Sequence, residues 1–270
     1  MEKKEEYPNC SSAEVDNTNS PKDEIHEVLQ TLEQQTNWDG SPLFKYNGYW
    51  FPQHFFRPIL SFQKHFKAKD SDIILASSPK SGTTWLKALA FSIVNRNVYP
   101  NDQSPLLTCN PHALVPSLER HLYSLQENPD LEHIPNPRIF STHMPFSSIR
   151  PDSIRDSECK TIYGIHPYGP FWDHILESWN AHLKNPEKAL FLKYEDLKQD
   201  TTFHIKKIAE FLGCPFSLEE EKQGLIEQIA KLCSFENLKN LEVNKTGKIR
   251  GVLKNSSFFR KEKLEIGAII

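Results

Sequence analysis

The stretch Ile73-Ile74-Leu75-Ala76-Ser77-Ser78-Pro79-Lys80-Ser81-Gly82-Thr83-Thr84-Trp85-Leu86-Lys87 decides how the chain is read. An apolar run of strand character enters a Lys-Ser-Gly-Thr-Thr turn that opens straight into a helix. Such a junction holds a phosphate, because free backbone N–H groups and the positive end of the helix dipole converge on one spot. Lys80 adds a mobile positive charge, and the hydroxyls of Ser81, Thr83 and Thr84 add donors. Gly82 lets the backbone approach a ligand with no Cβ in the way. The order differs from a Walker A loop, where glycine precedes lysine. The only Gly-Lys pair, Gly247-Lys248, is followed by Ile249. An ATPase or kinase is therefore the weaker reading, and a ligand-free strand–turn–helix is the bland one.

Composition bounds the alternatives. The 270 residues are 38% hydrophobic and 25% charged, which suits one globular domain with a sizeable core. A net charge of −3 argues against an obligate nucleic-acid binder but leaves room for a local basic pocket. No apolar run approaches the ~20 residues that span a membrane. Met1-Glu2-Lys3-Lys4-Glu5-Glu6 lacks the apolar core of a signal peptide. Five cysteines without a Cys-x-x-Cys spacing indicate neither a zinc site nor a disulfide framework, so a cytoplasmic location is expected.

Residues 1–35 are polar and poor in aromatics, and read as a disordered tail with a short helix near Glu24–Leu32. The rest, 36–270, reads as a single domain. It opens with an aromatic cluster, Phe44, Tyr46, Tyr49, Trp50, Phe51, Phe55 and Phe56, suited to core or sheet cover. From Ile73 onward strands and helices alternate, which predicts an α/β fold with a P-loop-like central parallel sheet flanked by helices. Arg138–Ser141, Cys159–Tyr163 and Ala189–Leu192 read as further strands. Trp85, Leu86, Leu89, Ala90 and Ile93 form one helix face, and Trp172, Ile175, Leu176, Trp179 and Leu183 read as a buried face of another. A helix with Ile205, Ile208, Ala209 and Leu212 stops at Gly213. The next opens with the capping pair Ser217 and Glu220 and carries Leu225, Ile226, Ile229 and Leu232 inward.

Pro79–Trp85 resembles the 5′-phosphosulfate loop of plant-type cytosolic sulfotransferases, whose donor is 3′-phosphoadenosine 5′-phosphosulfate. The resemblance continues well beyond the loop. Ser141-Thr142-His143-Met144-Pro145 matches the strand-end segment that carries the family's catalytic histidine. By itself a histidine after a strand is more often structural or merely exposed. By the resemblance, His143 is the general base and Lys80 stabilises the leaving phosphate, with donor contacts from Lys80, Ser81, Gly82, Thr83, Thr84 and Trp85. Phe191–Leu197 resembles the segment whose tyrosine, here Tyr194, contacts the adenosine, although a buried strand-end tyrosine is an equal alternative. Cys233–Leu238 resembles the segment that closes over adenine and implies contacts from Ser234 and Phe235. Phe258-Phe259-Arg260-Lys261 resembles the start of the segment that grips the 3′-phosphate, which implicates Arg260 and Lys261. Tyr168–His174 and Leu241–Lys245 are family-like stretches of structural or lid-forming kind. Implied with these are a small hydroxylated apolar metabolite as acceptor and no metal. The family's N-terminal aromatic segment also contributes to the acceptor pocket.

Departures from the family are as informative. The strand through Thr161–Tyr163 should continue into a Cys-Arg-Asn-Pro-Lys-Asp loop and a helix that bind the 3′-phosphate. Here Tyr163-Gly164-Ile165-His166-Pro167-Tyr168 leads directly to the next helix, and Arg-Asn-Pro-Lys-Asp occurs nowhere. Glu262 stands where the family has a glycine after Arg-Lys, and the region that carries a dimer-forming motif in many relatives is missing, so a monomer is expected. Ser78 replaces an aromatic residue of many relatives, a change expected to be tolerated. Each lost charge-assisted phosphate contact costs roughly 1.5–3 kcal/mol. Losing two or more, if the costs add, weakens donor binding by on the order of a hundredfold at the least. The sequence thus leaves two readings: a sulfotransferase, or a catalytically dead remnant of that fold acting as a binding protein.

Overall fold

In the computed structural model, residues 22–149, 152–165, 172–249, 251 and 253–259 are described. They divide into two compact units, one taking in 22–83 and 115–199, the other 84–114 and 200–259.

The first unit begins inside the stretch expected to be a tail. A helix runs over Lys22–Thr31 and strand β1 over Gln34–Thr36, whereas residues 1–21 lie outside the described set. β1 pairs antiparallel with β2 (Pro42–Tyr46), and β2 with β3 (Tyr49–Pro52). This ribbon orders the aromatic cluster. Phe44 faces Phe51 across the strands, and both meet the edge of Phe56, with centroids 5.7 and 6.3 Å away. Phe56 opens the helix Phe56–His65 and is fully buried.

The central sheet follows, all parallel, in the order β5 (Ile139–Thr142), β4 (Ile73–Ser77), β6 (Lys160–Ile165), β7 (Ala189–Lys193). β4 is buried at every residue, as an unbroken apolar run in a parallel sheet must be. The strand order reverses about β4, so ligands belong beyond the carboxyl ends of β4 and its neighbours. At the opposite ends, Arg138 lies just before β5 rather than within it. It makes a buried two-pronged contact with Asp72, at 2.8 Å from Nε and 2.6 Å from Nη2.

One expectation is overturned. In the helix Trp172–Lys184, Trp172, Leu176, Trp179 and Leu183 are 65%, 56%, 42% and 60% exposed. The buried side is His174, Ser178 and Ala181. The two stripes are two residues, about 200°, apart on the helix, on opposite sides. The small side chains of Ser178 and Ala181 allow close packing; of the expected face Ile175 still packs against the core and Trp179 meets Phe191 edge-on at 5.1 Å, whereas Trp172, Leu176 and Leu183 are left facing outward.

In the second unit the helix Thr83–Asn95 is buried nearly all round. Leu86, Ala88, Leu89, Ala90, Phe91 and Ile93 are each at most 3% exposed, joined by Lys87. The helix Thr201–Phe211 is capped by Asp200, whose carboxylate accepts the Phe203 N–H at 3.0 Å, and buries Ile205, Ile208 and Ala209. Ser217 and Glu220 form the expected capping box. The helix they open ends at Lys222, however, and a second spans Leu225–Leu232. Gly224 separates them at φ 69°, a left-handed conformation open to glycine.

Candidate functional site

In the first unit, β4 delivers the chain into the loop Ser78–Gly82. The Ser81 N–H closes back onto the Ser78 carbonyl at 3.2 Å. Lys80 and Gly82 both lie at positive φ, 69° and 81°. Left-handed turning of this kind curls backbone N–H groups into a concavity that suits an anion. For Lys80 the conformation costs about 1–2 kcal/mol, strain of the kind that clusters at functional sites. Gly82 is required twice over, because a Cβ there would also stand 2.6 Å from Cδ2 of Tyr194. The Tyr194 ring, at the start of the helix Tyr194–Gln199, therefore rests on the loop. Thr83 is pinned by its hydroxyl, 2.7 Å from Ser77 Oγ.

His143 follows β5 and is held from two sides. Its backbone N–H donates to Oε1 of the buried Glu119 at 3.0 Å, and Nδ1 lies 2.6 Å from the Ser77 carbonyl oxygen. A carbonyl only accepts, so Nδ1 carries the proton and the neutral ring keeps its lone pair on Nε2. Glu119 is itself anchored through β5, since Ser117 bridges Ser141 and the Ser141 N–H donates to the Pro116 carbonyl at 2.9 Å.

A second histidine, not singled out in the sequence, stands close by. His174 is buried, with Nδ1 3.2 Å from Ser78 Oγ and its ring 6.3 Å from that of Tyr49 in an edge-on arrangement. Burial, with a smaller contribution from the charge of His143, pushes its pKa down to about 4, so it is neutral at neutral pH. Burial, followed by the carboxylates of Glu177 and Asp173, raises the pKa of the Tyr49 phenol. Ser78, expected only to be tolerated, is the hydrogen-bond partner of this histidine. The only sequence signal was the position of His174 within the family-like Trp172-Asp173-His174.

In the second unit, Thr84 and Trp85 lie in the first turn of the helix Thr83–Asn95. Ser234 caps the helix Phe235–Asn240 by accepting the Asn237 N–H at 3.2 Å. Its neighbour Cys233 ties that cap to the first helix, with Sγ 3.3 Å from Ser92 Oγ. Phe235 packs on the buried Phe259 at 6.1 Å between ring centroids. Arg260 and Lys261, the expected 3′-phosphate residues, lie outside the described residues. Cys159, Cys214 and Cys233 are free thiols. Among the described residues no group of three or more His, Cys, Asp or Glu is arranged to hold a metal, and no helix is long and apolar enough to cross a membrane.

Comparison with known proteins matches this arrangement to one family. The sulfotransferase domain model matches residues 70–166 and 164–265. The two segments meet where the Arg-Asn-Pro-Lys-Asp loop is absent. Cytosolic sulfotransferase 5 of Arabidopsis thaliana is 39% identical over 280 residues, taking in 88% of this chain and 86% of its own. Cytosolic sulfotransferase 12 of the same plant is 41% identical over 281 residues, 88% of this chain and 84% of its own. Both alignments are longer than the chain itself, so these relatives carry residues with no counterpart here. A solved Arabidopsis thaliana sulphotransferase superposes with TM-score 0.70 at 38% identity, covering 84% of this chain and 91% of that one. A mouse sulfotransferase complexed with PAP superposes with TM-score 0.52 at 26% identity over 73% of this chain and 76% of its own. The chain belongs to the sulfotransferase family, in its plant cytosolic branch.

Proposed function

We propose that this chain moves a sulfuryl group from 3′-phosphoadenosine 5′-phosphosulfate to a hydroxyl of a small apolar metabolite. One observation carries the reading: the hydrogen bond from His143 Nδ1 to the Ser77 carbonyl ties a histidine base to the strand that feeds the Lys80 loop. The loop itself fits a nucleotide phosphate. Its left-handed turn at Lys80 and Gly82 gathers N–H groups, and the cradle at Gly82, beneath the Tyr194 ring, has no room for a Cβ. The bound donor supplies the sulfuryl group and a phosphate leaving group. Lys80 and the loop amides at Gly82 and Thr83 stabilise charge as it builds on the bridging oxygen. His143 takes the acceptor's hydroxyl proton on Nε2. Tyr49 and the neutral His174 suit the approach of an apolar acceptor to His143. Donor contacts at Thr84, Trp85, Ser234, Phe235, Arg260 and Lys261 are carried over by resemblance alone. The cytosol, as in the relatives' names, is taken as its compartment and a monomer as its state.

The missing Arg-Asn-Pro-Lys-Asp loop favours a second reading, a sulfotransferase fold that binds but no longer transfers. Calorimetric titration with 3′-phosphoadenosine 5′-phosphate (PAP) separates the two. Micromolar binding that disappears in Lys80→Ala is expected of the enzyme. His143→Gln should then bind PAP as the wild type does while transfer to phenolic or steroidal alcohols falls by about 10²-fold or more. A folded wild-type protein that ignores PAP would leave only the remnant.

A further inference from the structure

Lys87 lies in the second turn of the helix Thr83–Asn95 and is 1% exposed. A buried ammonium is costly unless it is hydrogen-bonded, and its position beside a helix N-terminus adds positive charge to positive potential. Its Nζ lies 3.0 Å from Nδ1 of His112, and His112 Nε2 lies 2.9 Å from the hydroxyl oxygen of Thr84. An ammonium donates and cannot accept, so Nδ1 is the unprotonated nitrogen and the neutral ring carries its hydrogen on Nε2. That hydrogen is given to Thr84 Oγ1, which leaves the threonine's own hydrogen for donation to another acceptor. The imidazole is held in this orientation. Its backbone N–H donates to Asn110 Oδ1 at 2.9 Å, Asn110 donates to the buried Asn244 at 2.8 Å, and Phe258 stacks on the ring at 3.9 Å.

We propose that Lys87 and His112 are positioning residues, a relay that sets the Thr84 hydroxyl as a hydrogen-bond donor to the 5′-phosphate of the nucleotide. The inference rests on the donor reading of the loop. It assigns work to two residues that neither the loop motif nor the base requires.

The test is PAP affinity by calorimetry for the wild type, Thr84→Ala, Lys87→Met, His112→Phe and the His112→Phe/Thr84→Ala double variant. His112→Phe keeps a planar ring against Phe258 and removes both nitrogens. Each single change should weaken PAP about tenfold, and the double change no more than Thr84→Ala alone, because the relay acts only through that hydroxyl. Thr84→Ser should retain wild-type affinity. Nitrogen-15 spectra of the wild-type protein should show His112 as the Nε2–H tautomer. Losses that add in the double variant, no loss in His112→Phe, or an Nδ1–H tautomer would overturn the relay. If His112→Phe does not fold, the tautomer and Lys87→Met decide. Wild-type protein that fails to bind PAP removes the donor reading and the inference together, whereas binding indifferent to Lys87 and His112 removes the inference alone.

Discussion

His174 and His143 are placed in different electrostatic circumstances by their surroundings. His143 is half-buried and hydrogen-bonded to a backbone carbonyl, whereas His174 is sealed among Ser78, Tyr49 and the sheet. The difference has a consequence for stability. Unfolded, the His174 imidazole takes a proton near pH 6.5; folded, it does so only near pH 4. Between those values the unfolded chain binds more protons, so stability is full above pH 6.5 and falls as the pH drops. Urea unfolding should show a loss of about 2 kcal/mol from this group between pH 7 and pH 5. His174→Gln, though less stable at both values, should lose correspondingly less. The places of the Lys80 loop and of His143, each just past a strand end, were legible in the sequence because they lie on contiguous segments. His174 was not, because Ser78, the residue that gives it a role, is 96 residues away. Glu119 and His112 escaped for the same reason, with partners 24 and 28 residues distant.

Among the elements, strands were easier to read than helix faces. A strand buried in a parallel sheet has one reading, an unbroken apolar run, and β4, β5 and β7 appear within about a residue of expectation. A helix face is inferred from periodicity, and Trp172–Lys184 carries two stripes that satisfy the period. Burial went to the stripe with the smaller side chains. Leu176→Gln and Leu183→Lys should therefore change stability by no more than about 0.5 kcal/mol. Ala181→Asp, on the buried side, should cost several kcal/mol by placing a carboxylate against the core. Similar losses from both sets in denaturant titrations would contradict the assignment of faces. The same ambiguity explains the Ser217–Leu232 region. Its apolar spacing was read as one helix, and the left-handed Gly224 breaks it in two.

For the whole molecule, the question is what the absent loop and helix after β6 cost. β6 still pairs with both β4 and β7, so the sheet closes its order without them. By the family resemblance, what they would have brought are charged contacts to the 3′-phosphate. PAP should therefore bind this chain on the order of a hundredfold more weakly than it binds a relative that has the segment. Splicing that relative's segment in after Ile165 should recover most of the difference in a side-by-side titration, and equal affinities would show that other groups hold the 3′-phosphate. The sequence by itself determined the parallel α/β sheet, the Lys80 turn after β4, the histidine after β5 and the family. Each of these is written in contiguous residues whose local conformation follows from burial, backbone turn and helix dipole. Only the tertiary structure decided which side of a doubly striped helix is buried, why Gly82 must be glycine beneath Tyr194, and which buried side chains orient His143 and Thr84. Those depend on close contacts between residues far apart in the chain, set by packing and desolvation that no local pattern encodes.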